Sequence, residues 1–294
     1  MTASATQRPE TPRAALRRML AEPELLVLPG VYDALSATLA ERSGFPGVYM
    51  TGAGVSMALI GYPDLGFTTL TEMAGQVARI TSVLKVPVVA DADTGFGNAL
   101  SVHRTVTEYQ RAGVAGMHLE DQAFPKRCGH LQGKTVISTA EFVEKIHAAV
   151  EARTDPDLVL IARTDSRGPL GFAEAIERSN RYAEAGADLI FVEAPQTLEE
   201  IELIPREVAA PAMFNVVGGG RSPSVSNEQL TEWGYAMAIR PGALIGPVVQ
   251  TIIRALARND APTPLDPALD GPAGLFNTVG LDDWLAAGER FATD

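Results

Sequence analysis

The sequence predicts an α/β protein folded as an eight-stranded (β/α)8 barrel, on three observations. Short apolar, β-branched runs recur along the chain, each followed by an amphipathic stretch of helical period. The alternation is strict, and buried strands alternating with helices make a parallel sheet. Eight such units in 294 residues point to closure into a barrel, a form that runs to about 250 residues. An open doubly wound sheet is the alternative, but no Gly-x-Gly-x-x-Gly follows the first strand.

Residues 1–11, rich in Thr, Ser, Ala and Pro, read as a disordered tail. Thr11-Pro12 then supplies an N-cap and a first-turn proline for a helix reaching about Leu20. The expected strands are Leu25–Pro29, Val48–Thr51, Val86–Asp93, Gly116–Asp121, Leu158–Asp165, Leu189–Ala194, Ala212–Val216 and Ala236–Arg240. The expected helices are Tyr32–Ser43, Leu70–Leu84, Ala99–Ala112, Thr139–Ala152, Phe172–Ala185, Leu198–Val208, Asn227–Trp233 and Ile245–Ala257. Residues 12–260 thus form the barrel, and 261–294 remain as an extension suited to packing between subunits.

Composition narrows the function. A net charge of −12 argues against nucleic acid or an anionic membrane as partner, since both reward clustered Lys and Arg. No apolar run approaches the roughly 20 residues of a membrane span, and the polar start lacks a signal-peptide core. A single cysteine excludes a disulfide framework and suits a reducing cytoplasm.

The strand ends carry the chemistry. Val88-Val89-Ala90-Asp91-Ala92-Asp93-Thr94-Gly95 closes a buried strand with two carboxylates that strand alternation puts on one side. Like charges so close are held ionised by a hard divalent cation, although a helix cap and an ion pair would equally use them. The other ends are Thr51-Gly52, Glu120-Asp121, Arg163 with Asp165, Glu193, Asn215 and Arg240, all at the barrel face where catalysis occurs. Structural ion pairs would account for Asp121 or Asp165, not for all the ends together. Thr51-Gly52-Ala53-Gly54 offers backbone N–H groups to an anionic oxygen, or is simply a tight turn. Gly61-Tyr62-Pro63-Asp64 presents Asp64 on a rigid turn. Arg163 offers a planar fork for a carboxylate or phosphate, or for a ring carboxylate such as Glu193. The loop Lys126-Arg127-Cys128-Gly129-His130 sets the only cysteine among cations, which is expected to lower its pKa toward neutrality. Such a thiol on a glycine-hinged loop acts as acid or base and moves with a lid.

These motifs, in this order, resemble the isocitrate lyase and phosphoenolpyruvate mutase superfamily from about Leu25 to Pro241. Tyr32-Asp33-Ala34-Leu35-Ser36-Ala37, Gly61–Gly66, Asp91–Gly97, His118–Gln122, Lys126–His130 and Ala162–Asp165 carry the likeness. Within the superfamily the chain is similar to 2-methylisocitrate lyases, 2,3-dimethylmalate lyases and carboxyphosphonoenolpyruvate phosphonomutases. The resemblance implies a barrel whose last helix is often exchanged between subunits of a dimer or tetramer. It implies Mg²⁺, replaceable by Mn²⁺, held partly through water by Asp64, Asp91, Asp93 and Glu120. It implies Cys128 as the acid that protonates the leaving carbanion, Arg163 on a substrate carboxylate, and His130, Glu193 and Asn215 lining the pocket. Tyr32, Thr51, Gly52, Ala53, Lys126, Arg127, Gly129 and Arg240 complete the expected substrate contacts. The expected reaction is retro-aldol cleavage of a 2-hydroxy di- or tricarboxylate into an α-keto acid and a second acid. A phosphonomutase, an oxaloacetate decarboxylase or hydrolase, and an inactive binding barrel are the rivals.

The chain departs from the pattern in three places. Gly218 stands where many lyases have glutamate, and Arg240 where many have tyrosine before the proline. Pro262 to Gly274 is unlike the usual helical tail. The first two changes predict a roomier and more cationic pocket wall.

Overall fold

Eight parallel strands close in sequence order, β8 pairing back onto β1. They are β1 Leu26–Val31, β2 Val48–Met50, β3 Val88–Asp91, β4 Gly116–Glu120, β5 Val159–Thr164, β6 Leu189–Val192, β7 Ala212–Asn215 and β8 Met237–Arg240. The structure is a computed structural model that describes residues 10–258 and 276–291. Most of the tail expected over 1–11, and all of 262–274, lie outside the described residues.

Helices α1 Pro12–Ala21, α2 Ala34–Arg42, α4 Leu70–Val83, α5 Ala99–Arg111, α6 Thr139–Ala152, α8 Phe172–Glu184, α9 Leu198–Glu207, α10 Asn227–Trp233 and α11 Ile245–Arg258 match the expected stretches. Short turns α3 Gly52–Val55, followed by a π turn Ser56–Ile60, and α7 Arg167–Leu170 interrupt what reads as loop, and α12 Leu281–Phe291 ends the described chain. Side-chain caps start most of the long helices: Thr11, Asp33, Thr69, Asn98, Ser138, Thr197 and Ser226 each accept a first-turn N–H. β3 stops at Asp91 rather than Asp93. Asp93 takes φ +47°, and its N–H turns back onto Asp91 Oδ1 at 2.9 Å.

Alternation along each strand separates two cores. Leu160, Ala162, Ile190, Val192 and Phe214 face outward against the helices. Leu26, Leu28, Tyr49, Val89, Val159, Ile161, Leu189, Phe191, Met213, Met237 and Ile239 fill the barrel itself. Leu16 of α1 joins this inner core at the amino end of the strands, filling the space that Gly116 leaves open. It is wholly buried, and truncation to alanine is worth about 2–5 kcal/mol. Arg13 and Arg17 pin α1 there through Asp155 and Asp188 at 2.7 and 2.8 Å. No described helix is long and apolar enough to cross a membrane.

Candidate active site

Counting by twos carries the inner apolar layer up into a polar one. Tyr49 leads to Thr51, Val89 to Asp91, His118 to Glu120, Ile161 to Arg163, Phe191 to Glu193 and Met213 to Asn215, every one buried. The strand periodicity alone therefore converges these groups on the barrel axis.

Asp91 accepts the N–H of Gly52 on Oδ2 at 3.3 Å as well as that of Asp93. A Cβ at residue 52 would fall closer than 3.0 Å to Asp91 Oδ2, so only glycine allows this approach. The N–H of Thr51 goes to Val31 O at 3.0 Å, so the Thr51 and Gly52 donors of this turn are committed within the protein.

The loop after β4 folds over this ring. Lys126, buried, inserts its ammonium between Asp64 and Asp93, 2.5 Å from Asp93 Oδ1. Arg163 forks onto Asp165 at 2.8 and 3.1 Å and lies 3.3 Å from Glu120 Oε2. His130 Nε2 is 3.1 Å from Glu193 Oε1, while Nδ1 accepts the N–H of Arg221 at 3.1 Å. That acceptance assigns the ring proton to Nε2, toward the carboxylate. Lys134 pairs with Asp165 at 2.7 Å.

The charges do not balance. Counted as ionised, the carboxylates of Asp64, Asp91, Asp93, Glu120, Asp165 and Glu193 meet three Lys or Arg cations, Lys126, Lys134 and Arg163, a formal excess of three negative charges. Burial pushes Asp93 up to about 6 against the pull of Lys126. It pushes Asp91 and Glu120 up as well, against Lys126 and Arg163. Burial would raise Glu193 too, but Arg163 and His130 overcome it and hold that carboxyl low. For Lys126, burial acts downward, and Asp93, Glu120, Asp64 and Asp91 outweigh it. His118 is driven down to about 3 by burial and then by Arg163, so it is neutral, with Nε2 2.7 Å from Tyr49 Oη.

Neither oxygen of the buried Glu120 receives a hydrogen bond. Orphaned hard oxygens in a net-anionic cavity fit a divalent cation of magnesium's kind. Among the described residues no three His, Cys, Asp or Glu side chains converge tightly enough to ligate a bare ion. The fit is to an ion that keeps several waters, as magnesium does.

Cys128 sits over the ring, its N–H donating to Asp64 O at 3.1 Å. Its thiol is pushed up, not down: burial acts first, the His130 N–H opposes, and Asp64 and Glu193 add to the rise. This corrects the expectation drawn from the loop's own cations. Lys126 is committed to Asp64 and Asp93, and Arg127 is exposed, bonding Gln132 O at 3.3 Å.

A cavity of about 200 Å³ brings together Thr51, Ala53, Asp64, Asp91, Cys128, Gly129, His130, Arg163, Glu193 and Asn215. Gly52, Asp93, Glu120 and Lys126 stand directly behind these groups. Three expected contacts point elsewhere. Tyr32 packs behind Gly54, Arg127 faces outward, and Arg240 bonds Asn227 Oδ1 at 2.9 Å, so the wall after β8 is not cationic. Gly218 faces open space. Tyr49, Met57, Val217, Pro241, Gly242 and Ile245 also line the cavity, and the strand-end pattern singles out none of them. Strand alternation does point to Tyr49, two residues before Thr51 on the same face. A larger cavity of about 490 Å³ around Phe67, Phe96, Arg104 and Phe124 lies outside the ring and includes none of its carboxylates.

Residues 16–259 match the family model described as phosphoenolpyruvate phosphomutase. The chain is 47% identical over 232 residues to a 2,3-dimethylmalate lyase of Eubacterium barkeri, covering 79% of this chain and 80% of that one. It is 48% identical over 232 residues to a 2-methylisocitrate lyase of Aeropyrum pernix, covering 79% and 74%. A crystal structure of 2,3-dimethylmalate lyase superposes with TM-score 0.90 at 39% identity, over 95% of each chain. A phosphonopyruvate hydrolase solved with oxalate and Mg²⁺ superposes with TM-score 0.82 at 29% identity, over 96% of this chain and 99% of that one.

Proposed function

This chain belongs to the phosphoenolpyruvate phosphomutase family, and from that premise we propose that it is a Mg²⁺-dependent carbon–carbon lyase. Its substrate would be a 2-hydroxy dicarboxylate, cleaved between C2 and C3 into an α-keto acid and a second carboxylic acid. The observation that carries the reading is geometric: one cavity gathers the Cys128 loop, the buried Arg163 and the carboxylates of Asp64, Asp91 and Glu193.

Mg²⁺, with Mn²⁺ as a substitute, would be held through Asp91, Asp64, Asp93 and Glu120 and would supply a Lewis acid for the 2-hydroxyl oxygen. The chain's own groups do the rest. Arg163, stacked 5.2 Å over Phe191 and anchored by Asp165, presents a fixed guanidinium to the carboxylate of the departing fragment. As the hydroxyl gives its proton to one of the ring carboxylates and becomes a carbonyl, the C2–C3 electron pair passes to C3 and into that carboxylate of the substrate. Cys128, held protonated by burial, delivers its proton to C3 before the fragments recombine. Gly129 and His130, seated against Arg163 and Glu193, exclude water while this happens.

The wall composition narrows the substrate. Met57, Val217 and Ile245 give the cavity an apolar side, and Arg163 is the one Lys or Arg among its lining residues. That arginine already faces Glu120, Asp165 and Glu193. A third carboxylate would be buried without a partner, which is unfavourable by several kcal/mol. The cavity thus suits a C3-alkyl malate such as 2,3-dimethylmalate better than the tricarboxylate 2-methylisocitrate. Assays of both with Mg²⁺, following the keto acid released, should favour the former in kcat/KM by about tenfold or more. Keto acid from neither, with phosphonopyruvate rearranged in phosphorus NMR or oxaloacetate consumed instead, would replace the lyase reading by one of its rivals.

The assembly is proposed to be a cytoplasmic homodimer or homotetramer. Ile252, Ile253 and Leu256 on α11 and Trp284 on α12 are exposed apolar groups of the kind a second copy covers. Light scattering at micromolar concentration tests this, and a monomer would refute it.

A further inference from the structure

Lys134 lies on the return arm of the Cys128 loop, outside every motif discussed above. Its side chain is only 3% exposed. Its ammonium donates both to the carbonyl of Gly129 and to Asp165 Oδ1, the latter at 2.7 Å. Asp165 is a rigid anchor, since it also receives the Arg163 fork and its own N–H is fixed by Asp121 Oδ1 at 2.8 Å.

Gly129 rests flush on the site. A Cβ there would lie closer than 3.0 Å to Glu193 Oε1 and to Arg163 Nη2. A main chain so close to charged side chains stays seated only if something holds it down. The loop has other attachments: Cys128 N–H to Asp64 O at 3.1 Å, Arg221 N–H to His130 Nδ1 at 3.1 Å, the Lys126 ammonium on Asp64 and Asp93, and His130 against Glu193 at 3.1 Å; none of them holds the Gly129 carbonyl itself. The Lys134–Gly129 bond is charge-assisted and buried, where such bonds are strongest.

We infer that Lys134 is a positioning residue for Cys128: braced by Asp165, it clamps the Gly129 carbonyl and so keeps the adjacent thiol over the cavity. The clamp shares its anchor with Arg163, so the seat of the loop and the aim of the guanidinium are set by one carboxylate. The kinetic half of this inference rests on the lyase reading; the structural half does not.

The chain's single cysteine makes the loop its own reporter. Alkylation of Cys128 by iodoacetamide in the full-length protein measures how firmly the loop is seated. Lys134→Met should speed alkylation by about tenfold or more, while Lys134→Arg, which keeps a cationic donor, should stay within about threefold of wild type. The sign separates position from electrostatics. Losing a nearby cation raises a thiol pKa and slows alkylation, so faster reaction means a released loop. Lys134→Gln is read in the same way, so that a folding failure of one variant leaves the other decisive. With a C3-alkyl malate, kcat should fall tenfold or more in Lys134→Met with KM within about threefold. Alkylation within twofold of wild type in whichever of the Met and Gln variants folds would overturn the clamp. Faster alkylation in an enzyme inert toward every malate would retain the clamp and reject the lyase reading.

Discussion

Glu120 and Asp121 are consecutive at the carboxyl end of β4, and both are wholly buried, yet they meet opposite surroundings. Asp121 points outward and accepts hydrogen bonds from Thr164 Oγ1 at 2.7 Å, Asp165 N at 2.8 Å, Tyr182 Oη at 2.9 Å and Arg178 Nη1 at 3.2 Å. Glu120 points into the barrel and accepts none. The outward carboxylate fastens the strand to α8 and is complete without any ligand. Its inward neighbour has only Arg163, 3.3 Å away and shared with Asp165, as a direct cationic partner. A one-residue step along a strand separates a fully hydrogen-bonded carboxylate from one that accepts no hydrogen bond.

Breaking the outward member should have the largest effect. Asp121→Ala leaves Arg178 buried beside an empty acceptor site, and urea unfolding should show a loss of about 3–5 kcal/mol. A loss below about 1 kcal/mol would show that the network is not structural. The inward member should behave differently. Glu120→Gln removes a buried charge that accepts no hydrogen bond, so stability without metal should hold or rise. Calorimetry should show Mg²⁺ affinity about 10–100-fold weaker. A stability loss matching that of Asp121→Ala would erase the distinction between the two residues.

A carboxylate on the helical shell provides the mild control. Burial would raise Glu200, but the Arg167 fork at 2.6 and 2.8 Å and the N–H groups of Gln196 and Thr197 hold its pKa below the ordinary value. A lowered carboxyl pKa stabilises the fold above the unfolded-state pKa, and the benefit disappears as pH falls through the folded-state value. Arg167→Met should thus be less stable than wild type by only about 0.5 kcal/mol at pH 7, after solvent screening. The gap should begin to narrow as pH falls to about 4 and close only below the lowered folded-state value, where Glu200 is protonated in both states.

Much of this comparison was legible in the chain. Alternating apolar runs predict the barrel, and counting by twos from Ile161 or Phe191 predicts that Arg163 and Glu193 point inward. The sequence allows a structural ion pair for Asp121 or Asp165, and the structure gives one to each: Arg178 to Asp121, and Arg163 with Lys134 to Asp165. What failed to show depends on where loops return. No spacing rule brings the ammonium of Lys126 between Asp64 and Asp93, two loops away in sequence. The thiol's upward shift arises from burial and from Asp64 and Glu193, whereas the sequence showed only the cations flanking Cys128. Arg240 belongs on the list for the same reason: Asn227, which captures it, sits on α10. Met57 and Ile245 reach the cavity from helical turns that strand counting does not cover.

The proton that reaches C3 decides between a thiol acid at Cys128 and any other source. Cleavage of 2,3-dimethylmalate in D₂O with Mg²⁺ should give pyruvate and propionate carrying a single deuterium at C2, and Cys128→Ser or chelation of the metal should suppress both products. Undiminished pyruvate release from Cys128→Ser, or from wild type stripped of divalent ions, would contradict it.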